Sequence, residues 1–428
     1  MRVLMFGWEF PPHISGGLGT ACYGITKALA EQEIHILFVV PKLFGDEKKG
    51  NVSFIDANQT TINLSYPESQ KILKHLNYIQ VDSGIVPYTS PWNEEILTEK
   101  NIPLTKNENK KMLHFYFSGE YGKNLIKEVA QYALVAAEIV KKKSFDIIHA
   151  HDWLTYPAGI VAKEMSGKPL IVHVHATEYD RSGENPNKTV YEIEKKGMQA
   201  ADTIIAVSEF TKKIIINKYG IPASKISVVH NGIIEAKNKF ITKKTTPYRK
   251  KTVSFIGRIT YQKGPDYFIE TARMVLRKFP NTHFVMAGSG DMLLPMIHRI
   301  AELKLSSRFH FTGFLQAEEI EKLYALSDIY VMPSVSEPFG ITPLEAMQSG
   351  IPVIISKQSG VSEVLTNVFK INFWDIHAMA DTICNLLKHE SLSDTLIHSG
   401  MQEIKNIKWE DSAIKIKKIY KSHLQVIH

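Results

Sequence analysis

The sequence predicts an α/β chain made of two doubly wound halves. Short apolar β-type runs alternate with amphipathic stretches in the first half, and the same rhythm restarts after a polar, basic segment near residue 240. Such alternation indicates a parallel sheet covered by helices. With 428 residues and 44% hydrophobic content, the chain is long enough to bury two cores.

The elements of the first half follow from its apolar runs. We expect, in order, a strand at 2–6, a helix at 20–31, strands at 34–40 and 145–149, a helix at 158–165 and a strand at 170–175. The segment 44–111 has weak periodicity and scattered Asn, Pro and Ser. We interpret it as loops and short elements that extend the first domain.

The second half repeats the pattern. We expect strands at 252–256, 283–287, 309–312 and 329–332, with helices at 265–278 and 291–303. The run 235–251 between the halves is polar and basic and has neither helical nor alternating period. The sequence therefore predicts domains at 1–235 and 236–408.

Composition narrows the class of protein. The net charge of +7 is diffuse, and its two densest runs, Lys237 to Lys251 and Lys415 to Lys421, are typical of a solvated linker and a solvated helix face. Cys22 and Cys384 lack disulfide or zinc spacing, and no run approaches the length of a membrane span. We expect a cytoplasmic protein without a nucleic-acid partner, whose membrane contact is at most peripheral, at the inner membrane.

A glycine loop lies between the first strand and the first helix. It includes Ser15, Gly16 and Gly17, and glycines there let backbone N–H groups approach an anion at a helix N-terminus. A tight turn is an equally open interpretation. The loop is not GxGxxG, so a dinucleotide fingerprint is absent.

Two cations follow the first strand of the second half. Arg258 and Lys263 lie five residues apart in a loop at a strand's carboxyl end, where open sheets bind ligands. A planar fork and a point charge could both reach one diphosphate. The alternative is a pair of ordinary surface cations.

Two carboxylates flank a predicted loop-to-helix transition. Glu337 and Glu345 are eight residues apart, and Gly340, Ile341 and Thr342 between them offer N–H groups at the helix start. One carboxylate could contact a sugar and the other a ribose. Alternatively, Glu345 is a charge favoured by the helix dipole.

Four histidines end two apolar strands. Alternation places His149 and His151 on one side of a strand, and His173 and His175 likewise. A metal site is conceivable, but strand-end histidines are more often hydrogen-bonded structural residues. Whether the two pairs meet is left open.

Together these features resemble the GT-B glycosyltransferases, in particular the family 4 group and the glycogen and starch synthases. The resemblance runs along nearly the whole chain, and its most specific motifs are Phe255-Ile-Gly-Arg258 with Gln262-Lys263-Gly264, and the E-x7-E element from Glu337 to Glu345. It implies two facing Rossmann-like domains with a cleft between them. It also implies that a last helix, about 409–428, packs back onto the first domain.

The resemblance implies a role for each candidate residue. Arg258 and Lys263 would bind the diphosphate of a nucleotide-sugar donor, Glu345 the ribose, and Glu337 and His151 the transferred sugar. The N–H groups of the two glycine-containing turns would complete the donor site, at Gly16, Gly17, Gly340, Ile341 and Thr342. His175 and Asp180 would lie on the side of a glycan acceptor. Neither a metal nor a cofactor is expected.

Three departures keep the substrate open. Ser15 stands where bacterial glycogen synthases have a lysine, Leu154 where many synthases have a histidine, and Ser359-Gly360-Val361 is closer to family 4. The expected activity is retaining transfer of a hexose, expected to be glucose, either in α-glucan elongation or in synthesis of a surface polysaccharide or glycolipid. From another class, a non-catalytic nucleotide- or carbohydrate-binding module is the alternative.

Overall fold

The computed structural model describes most of the chain. Its described residues are 1–13, 16–47, 52–65, 110–119, 121–122, 124–235 and 250–425, with the single residues Glu68, Ile72 and Leu76. Ser15, most of the segment 44–111 and the basic run 236–249 lie outside them. The predicted domain boundary therefore stays a prediction.

The first half forms a parallel sheet. The strands of this half are β1 (Arg2–Phe6), β2 (His35–Val40), β3 (Val52–Asp56), β4 (Ile62–Ser65), β5 (Lys110–Leu113), β6 (Ile147–His151), β7 (Leu170–Val174), β8 (Thr203–Ala206) and β9 (Ile226–Val228). Within the described residues, seven of them pair in the order β3-β2-β1-β6-β7-β8-β9, while β4 and β5 form a separate antiparallel pair.

Helices cover this sheet. They are α1 (Gly17–Glu31), α2 (Leu125–Lys142), α3 (Tyr156–Ser166), α4 (Glu178–Ser182), α5 (Lys188–Ala200) and α6 (Glu209–Tyr219). Helix α1 begins at Gly17, earlier than predicted, and the Glu9 carboxylate accepts the N–H of Gly19 at 3.0 Å within its first turn. Strand β6 begins and ends two residues later than predicted, so His151 lies in the strand.

The second half matches its predicted elements closely. The strands are β10 (Thr252–Ile256), β11 (His283–Ala287), β12 (Phe309–Gly313), β13 (Ile329–Met332), β14 (Val353–Ser356) and β15 (Phe369–Ile371). The helices are α7 (Pro265–Lys278), α8 (Leu293–Glu302), α9 (Ala317–Leu326), α10 (Thr342–Gln348), α11 (Ile376–Lys388) and α12 (Glu390–Ile404). The strands are parallel in the order β12-β11-β10-β13-β14-β15.

Each sheet has one switch point, where the strand order reverses. In the first sheet it lies between β1 and β6, and in the second between β10 and β13. In open α/β sheets, ligands bind outside the carboxyl ends of the strands at this place. The candidate residues of both halves lie on loops and strand ends at these two points.

The last helix, α13 (Trp409–Gln425), packs against α1 of the first half. Ala413, Ile416 and Tyr420 are fully buried at helical spacing in the core that α1 also lines. Lys415, Lys418 and Lys421 are exposed, as predicted for a solvated helix face. Across the described residues, none of the helices combines the length and apolar character that crossing a lipid bilayer requires.

The backbone that leads to α13 runs beside the backbone that leaves β9. Ile233 forms a parallel bridge with Lys408, and its N–H donates to the Ile407 carbonyl at 3.2 Å. Gly232 is essential to this approach, because a Cβ there would lie 2.3 Å from the backbone nitrogen of Trp409. The two places where the chain passes between the halves therefore lie side by side.

Candidate active site

The centre of the second switch point is an ion pair. Lys263 Nζ lies 2.5 Å from Glu337 Oε2, and Ser334 Oγ donates to the same oxygen at 3.0 Å. The side chain of Glu337 is 8% exposed and that of Lys263 is 20% exposed. A cation and a carboxylate seated this way can face a ligand without being fully surrounded by water, which strengthens their electrostatic effect.

The Glu337 backbone is fixed on both sides. Its N–H donates to the Gln358 carbonyl and its carbonyl accepts from Gly360, both at 2.9 Å. Gly264, which follows Lys263, lets its turn lie against the loop after β13. It has a positive φ of 63°, and a Cβ there would lie 2.2 Å from the Pro333 carbonyl oxygen. The loops after β10 and β13 are therefore locked against each other.

Arg258 is exposed beside this pair. Among the described residues, its guanidinium has one weak contact, from Nη2 to Gln262 Oε1 at 3.3 Å. Most of its donors are therefore available to an anion. The predicted diphosphate site at the end of β10 stays a prediction.

Glu345 is half-buried in the first turn of α10. Burial raises the pKa of its carboxyl group, while a hydrogen bond from the Tyr324 hydroxyl, 3.3 Å from Oε2, acts in the opposite direction. The helix starts without a side-chain cap. Its first N–H groups, near Gly340, Ile341 and Thr342, are the kind that a ligand can satisfy.

In the first half, the four histidines meet. His151 lies opposite His173 in the β6–β7 register. Along each strand the rings stack, with centroids 4.3 Å apart for His149 and His151 and 4.2 Å for His173 and His175. We call His149, His151, His173 and His175 the histidine ladder.

The ladder is buried and largely uncharged. His149, His151 and His173 are at most 1% exposed, whereas His175 is half-buried. Burial, together with neighbouring histidines, lowers the pKa of His151 and His173 well below the usual value, and that of His149 to about 3. Burial also lowers the pKa of His175 to about 3.

The ladder has few hydrogen-bond partners. His151 Nδ1 meets His175 Nε2 at 2.9 Å, and His149 Nδ1 meets the Tyr420 hydroxyl at 2.5 Å. Considering only the described residues, His151 Nε2, His149 Nε2 and both nitrogens of His173 are buried without a partner.

Two groups of possible ligand atoms lie in and beside the ladder. Ring nitrogens of His149, His151 and His173 lie within 4.8 Å of one another, and so do Cys22 Sγ and ring nitrogens of His151 and His175. The planes of the first three rings are inclined to one another by 22°, 3° and 24°. Metal-independent action stays a prediction.

Asp152 follows the ladder with a positive φ of 57°. Its carboxylate accepts the N–H of His175 at 2.6 Å and that of Ala176 at 3.4 Å. Burial raises the pKa of Asp152 to about 7, while Arg181 and these N–H groups lower it. The backbone that carries His175 is thus pinned to the end of β6.

Asp180 is fully buried rather than open to an acceptor. One oxygen accepts from the Thr177 N–H and hydroxyl, each at 2.7 Å, and the other from the Ser336 hydroxyl at 2.5 Å. Ser336 adjoins Glu337. Asp180 therefore ties the loop after β7 directly to the ion pair of the second half, a contact that sequence reasoning missed.

A second contact between the halves also escaped prediction. Glu363 accepts the N–H groups of Glu209 and Phe210, at 2.9 and 2.7 Å, and meets His230 Nε2 at 2.8 Å. Although burial raises its pKa, these bonds hold the pKa of Glu363 below its ordinary value. Helix α6 is thereby capped by a residue from the other half.

The glycine loop offers open space. A Cβ at Gly16 or Gly17 would meet nothing within 4 Å. The N–H of Gly19 is already taken by Glu9, a buried residue whose part in the helix start the sequence did not reveal. Any anion would therefore be met by the earlier N–H groups of the turn.

The two edges together can hold an anionic group beside a polar one. Exposed and half-buried cations lie on the second half, while neutral imidazoles and open glycines lie on the first. Asp180 and Ser336 join the two edges at hydrogen-bond distance. Such a site suits transfer in which a diphosphate leaves from a bound sugar.

Two family models match adjacent parts of the chain. The model described as "Glycosyl transferases group 1" matches residues 236–402. The model described as "Glycosyltransferase Family 4" matches residues 114–237.

Curated relatives share about a quarter of the sequence. An uncharacterized glycosyltransferase of Methanocaldococcus jannaschii is 25% identical, over 100% of both chains. The glycogen synthase of Mycobacterium tuberculosis is 25% identical over 86% of this chain and 80% of its own. An Escherichia coli UDP-Gal:alpha-D-GlcNAc-diphosphoundecaprenol alpha-1,3-galactosyltransferase is 28% identical over 54% and 63% of the two chains.

Solved structures show the same architecture. Sucrose-phosphate synthase from Thermosynechococcus elongatus superposes with a TM-score of 0.71 at 16% identity, covering 99% of both chains. The catalytic domain of starch synthase IV from Arabidopsis thaliana, bound to ADP and acarbose, has a TM-score of 0.68 at 16% identity and the same coverage. These likenesses establish the two-domain fold.

Proposed function

We propose that this chain, which belongs to the GT-B-fold glycosyltransferases, moves a hexose from a nucleotide diphosphate sugar to a glycan acceptor. The transfer retains the anomeric configuration and needs no metal. The observation that carries this proposal is the ion pair of half-buried Lys263 with buried Glu337, at the second switch point beside the exposed Arg258. Fixed charges there face the place where an open sheet binds its ligand.

The leaving diphosphate gains negative charge as the anomeric bond breaks. Arg258 and Lys263 supply positive charge for it, and the N–H groups at Gly17 and at the start of α10 supply donors. Preorganised charges of this kind stabilise the transition state without reorganising. Glu345 binds the ribose of the same donor.

The carboxylate of Glu337 supports the sugar as it becomes oxocarbenium-like. In retaining transfer by front-face attack, the departing phosphate accepts the proton of the acceptor hydroxyl, so no covalent glycosyl-enzyme forms. His175 and His151 are neutral and hydrogen-bonded to each other, and fit a role in positioning rather than in proton abstraction. Asp180 holds the acceptor-side loop rather than the acceptor itself.

Two acceptor classes remain in the proposal. Similarity to a glycogen synthase supports α-glucan elongation with glucose. Similarity to a galactosyltransferase that uses a diphosphoundecaprenol acceptor supports synthesis of a surface polysaccharide or glycolipid. Ser359-Gly360-Val361, whose Gly360 lies against the Pro338 carbonyl, belongs to the turn that resembles family 4.

Transfer assays test the proposal directly. The protein is given ADP-, UDP- and GDP-sugars with EDTA present, and glycogen, maltooligosaccharides or undecaprenyl diphosphate sugars as acceptors. We expect transfer from one donor, with an α-linked product from an α-linked donor by NMR. Arg258→Ala and Glu337→Ala should each lower kcat/KM by about 100-fold or more.

Matched controls lie far from the switch points. Lys278→Ala and Arg299→Ala remove exposed cations that pair with Asp381 and Glu270 on the outer surface, and should leave the rate unchanged. Inverted product, or loss of activity on EDTA treatment, would contradict the mechanism. Donor binding without transfer across the whole panel would instead support a non-catalytic binding module.

A further inference from the structure

The half-buried His175 is the only member of the histidine ladder, within the described chain, that reaches the surface. We propose that buried His151 is a positioning residue that fixes His175 in the tautomer carrying its proton on Nδ1, so that His175 presents a hydrogen-bond donor to a sugar hydroxyl in the cleft. The inference rests on the proposed function for the identity of that hydroxyl. The tautomer itself does not depend on it.

The contact between the two rings is a directed hydrogen bond. His151 Nδ1 and His175 Nε2 are 2.9 Å apart, the ring centroids are 5.2 Å apart and the planes are inclined by 25°. Edge-to-edge, nearly coplanar rings at this distance place a proton on the line between the two nitrogens. One ring must donate and the other must accept.

Both rings are neutral, so two protons are shared among four nitrogens. Burial keeps the pKa of each ring below its usual value, to about 3 for His175. A neutral imidazole has one N–H and one bare nitrogen. The direction of the shared bond therefore determines what the outer nitrogen of each ring carries.

The buried nitrogen of His151, Nε2, determines the direction of the hydrogen bond between the two rings. Throughout the described residues, His151 Nε2 has no hydrogen-bond partner and is inaccessible to water. If His175 donated, this buried nitrogen would carry an orphan N–H, the rarer and costlier kind of unpaired group. If His151 donates, the buried nitrogen is bare and the proton of His175 lies on Nδ1.

The backbone keeps His175 in this arrangement. Asp152 accepts the His175 N–H at 2.6 Å, and the strained positive φ of Asp152 directs it there. The helix that follows, α4, contacts the turn Tyr261–Lys263 of the second half. His175 therefore lies at the start of the loop that leads to this contact with the second half.

The consequence is a neutral donor rather than a base. An Nδ1–H at this edge can hold a hydroxyl of a bound sugar, and its protonation does not change near neutral pH because the pKa of the ring is so low. Rate contributions from His175 should thus be independent of pH between about 5 and 8.

Nitrogen-15 NMR of histidine-labelled protein tests the tautomer without any substrate. The His175 signal is assigned by its absence in His175→Gln. We expect long-range couplings that place the proton on Nδ1 in the wild type. A proton on Nε2 would overturn the proposal, whatever the activity.

Two substitutions of His151 separate positioning from packing. In His151→Asn, the side-chain amide can still donate where Nδ1–H did, so we expect the tautomer to persist and the loss in kcat/KM to be smaller than in His151→Leu. His151→Leu removes the donor, so His175 should shift toward the Nε2–H form with about a tenfold loss in kcat/KM. Equal losses in both variants, with unchanged unfolding temperatures, would contradict a tautomer-setting role.

The NMR result on the tautomer of His175 can be distinguished from the result of the transfer assays. If no donor in the panel is transferred but the wild-type proton lies on Nδ1, the positioning of His175 stands and the enzymatic assignment fails. If transfer occurs and the proton lies on Nε2, the reverse conclusion holds.

Discussion

At the switch point of the first sheet the side chains are neutral, stacked and buried, whereas at that of the second they are charged and reach the surface. His151 is 0% exposed, while Lys263 is 20% exposed and Arg258 more so. Both edges share the strand order that creates a ligand crevice. Topology thus provides two equivalent places, and residue type makes one suited to an anion and the other to uncharged polar groups.

The largest effect should come from the charged edge. Lys263→Ala removes the cation and leaves the buried Glu337 carboxylate without its ion-pair partner. We expect kcat/KM to fall by about 1000-fold, measured as initial rates against donor concentration. Lys278→Ala is the control, and a loss below tenfold would mean that the pair is structural.

Glu345 should act on donor binding more than on turnover. Glu345→Gln keeps the shape and the contact with the Tyr324 hydroxyl. It removes the charge of the acceptor that we propose for a ribose hydroxyl. We expect KM for the donor to rise about tenfold with kcat changed less than threefold. Glu302→Gln, on the outer surface, should change neither; a fall in kcat alone would place Glu345 in the chemical step.

The neutral histidines of the first edge should affect how the free energy of unfolding depends on pH. The folded pKa of His149 is about 3 against 6.5 when unfolded, so the unfolded chain takes up a proton that the native state refuses. Its contribution to stability is therefore complete above pH 6.5 and is lost as pH falls. Asp152 and Glu194, whose pKa values burial raises to about 7, act in the opposite direction over this range.

A substitution isolates the histidine from those carboxyl groups. Relative to wild type, His149→Phe should gain about 1 kcal/mol in free energy of unfolding between pH 7.5 and 5.5. Urea titrations at the two pH values give this difference. A pH-independent difference would show that His149 takes up its proton equally in the native and unfolded states.

The smallest effect is expected at the most isolated ring. His173 is buried with both nitrogens unpartnered within the described chain, so its single N–H is a cost that Leu would not have. We expect His173→Leu to leave the free energy of unfolding unchanged or to raise it by about 1 kcal/mol. His149→Leu, which loses the Tyr420 bond, is the contrast and should lower it.

The sequence pattern predicted the bounds of the strands and helices in the second half almost to the residue. The bounds of β10, β11, β13 and α7 are those predicted, because each buried strand ends at a glycine or proline signal. It misplaced β6 by two residues, since every residue of Ile147–His151 is buried and the run has no alternation to fix its ends.

The sequence predicted which residues belong to the candidate site, but not which of them contact each other. Arg258, Lys263, Glu337 and Glu345 follow from their places after strands, yet nothing in the sequence pairs Lys263 with a carboxylate 74 residues away. The bond from Ser336 to Asp180 spans 156 residues. That the histidines stack required the register that sets Ile148 against Leu170, which only the folded sheet supplies.

The bridge between Ile233 and Lys408 joins the two places where the chain passes from one half to the other. A backbone hydrogen bond from Ile233 to Ile407 links the two passages, and the close approach of Gly232 to Trp409 leaves no room for a side chain between them. One passage therefore cannot shift without the other. We expect any opening of the cleft to hinge at both passages together.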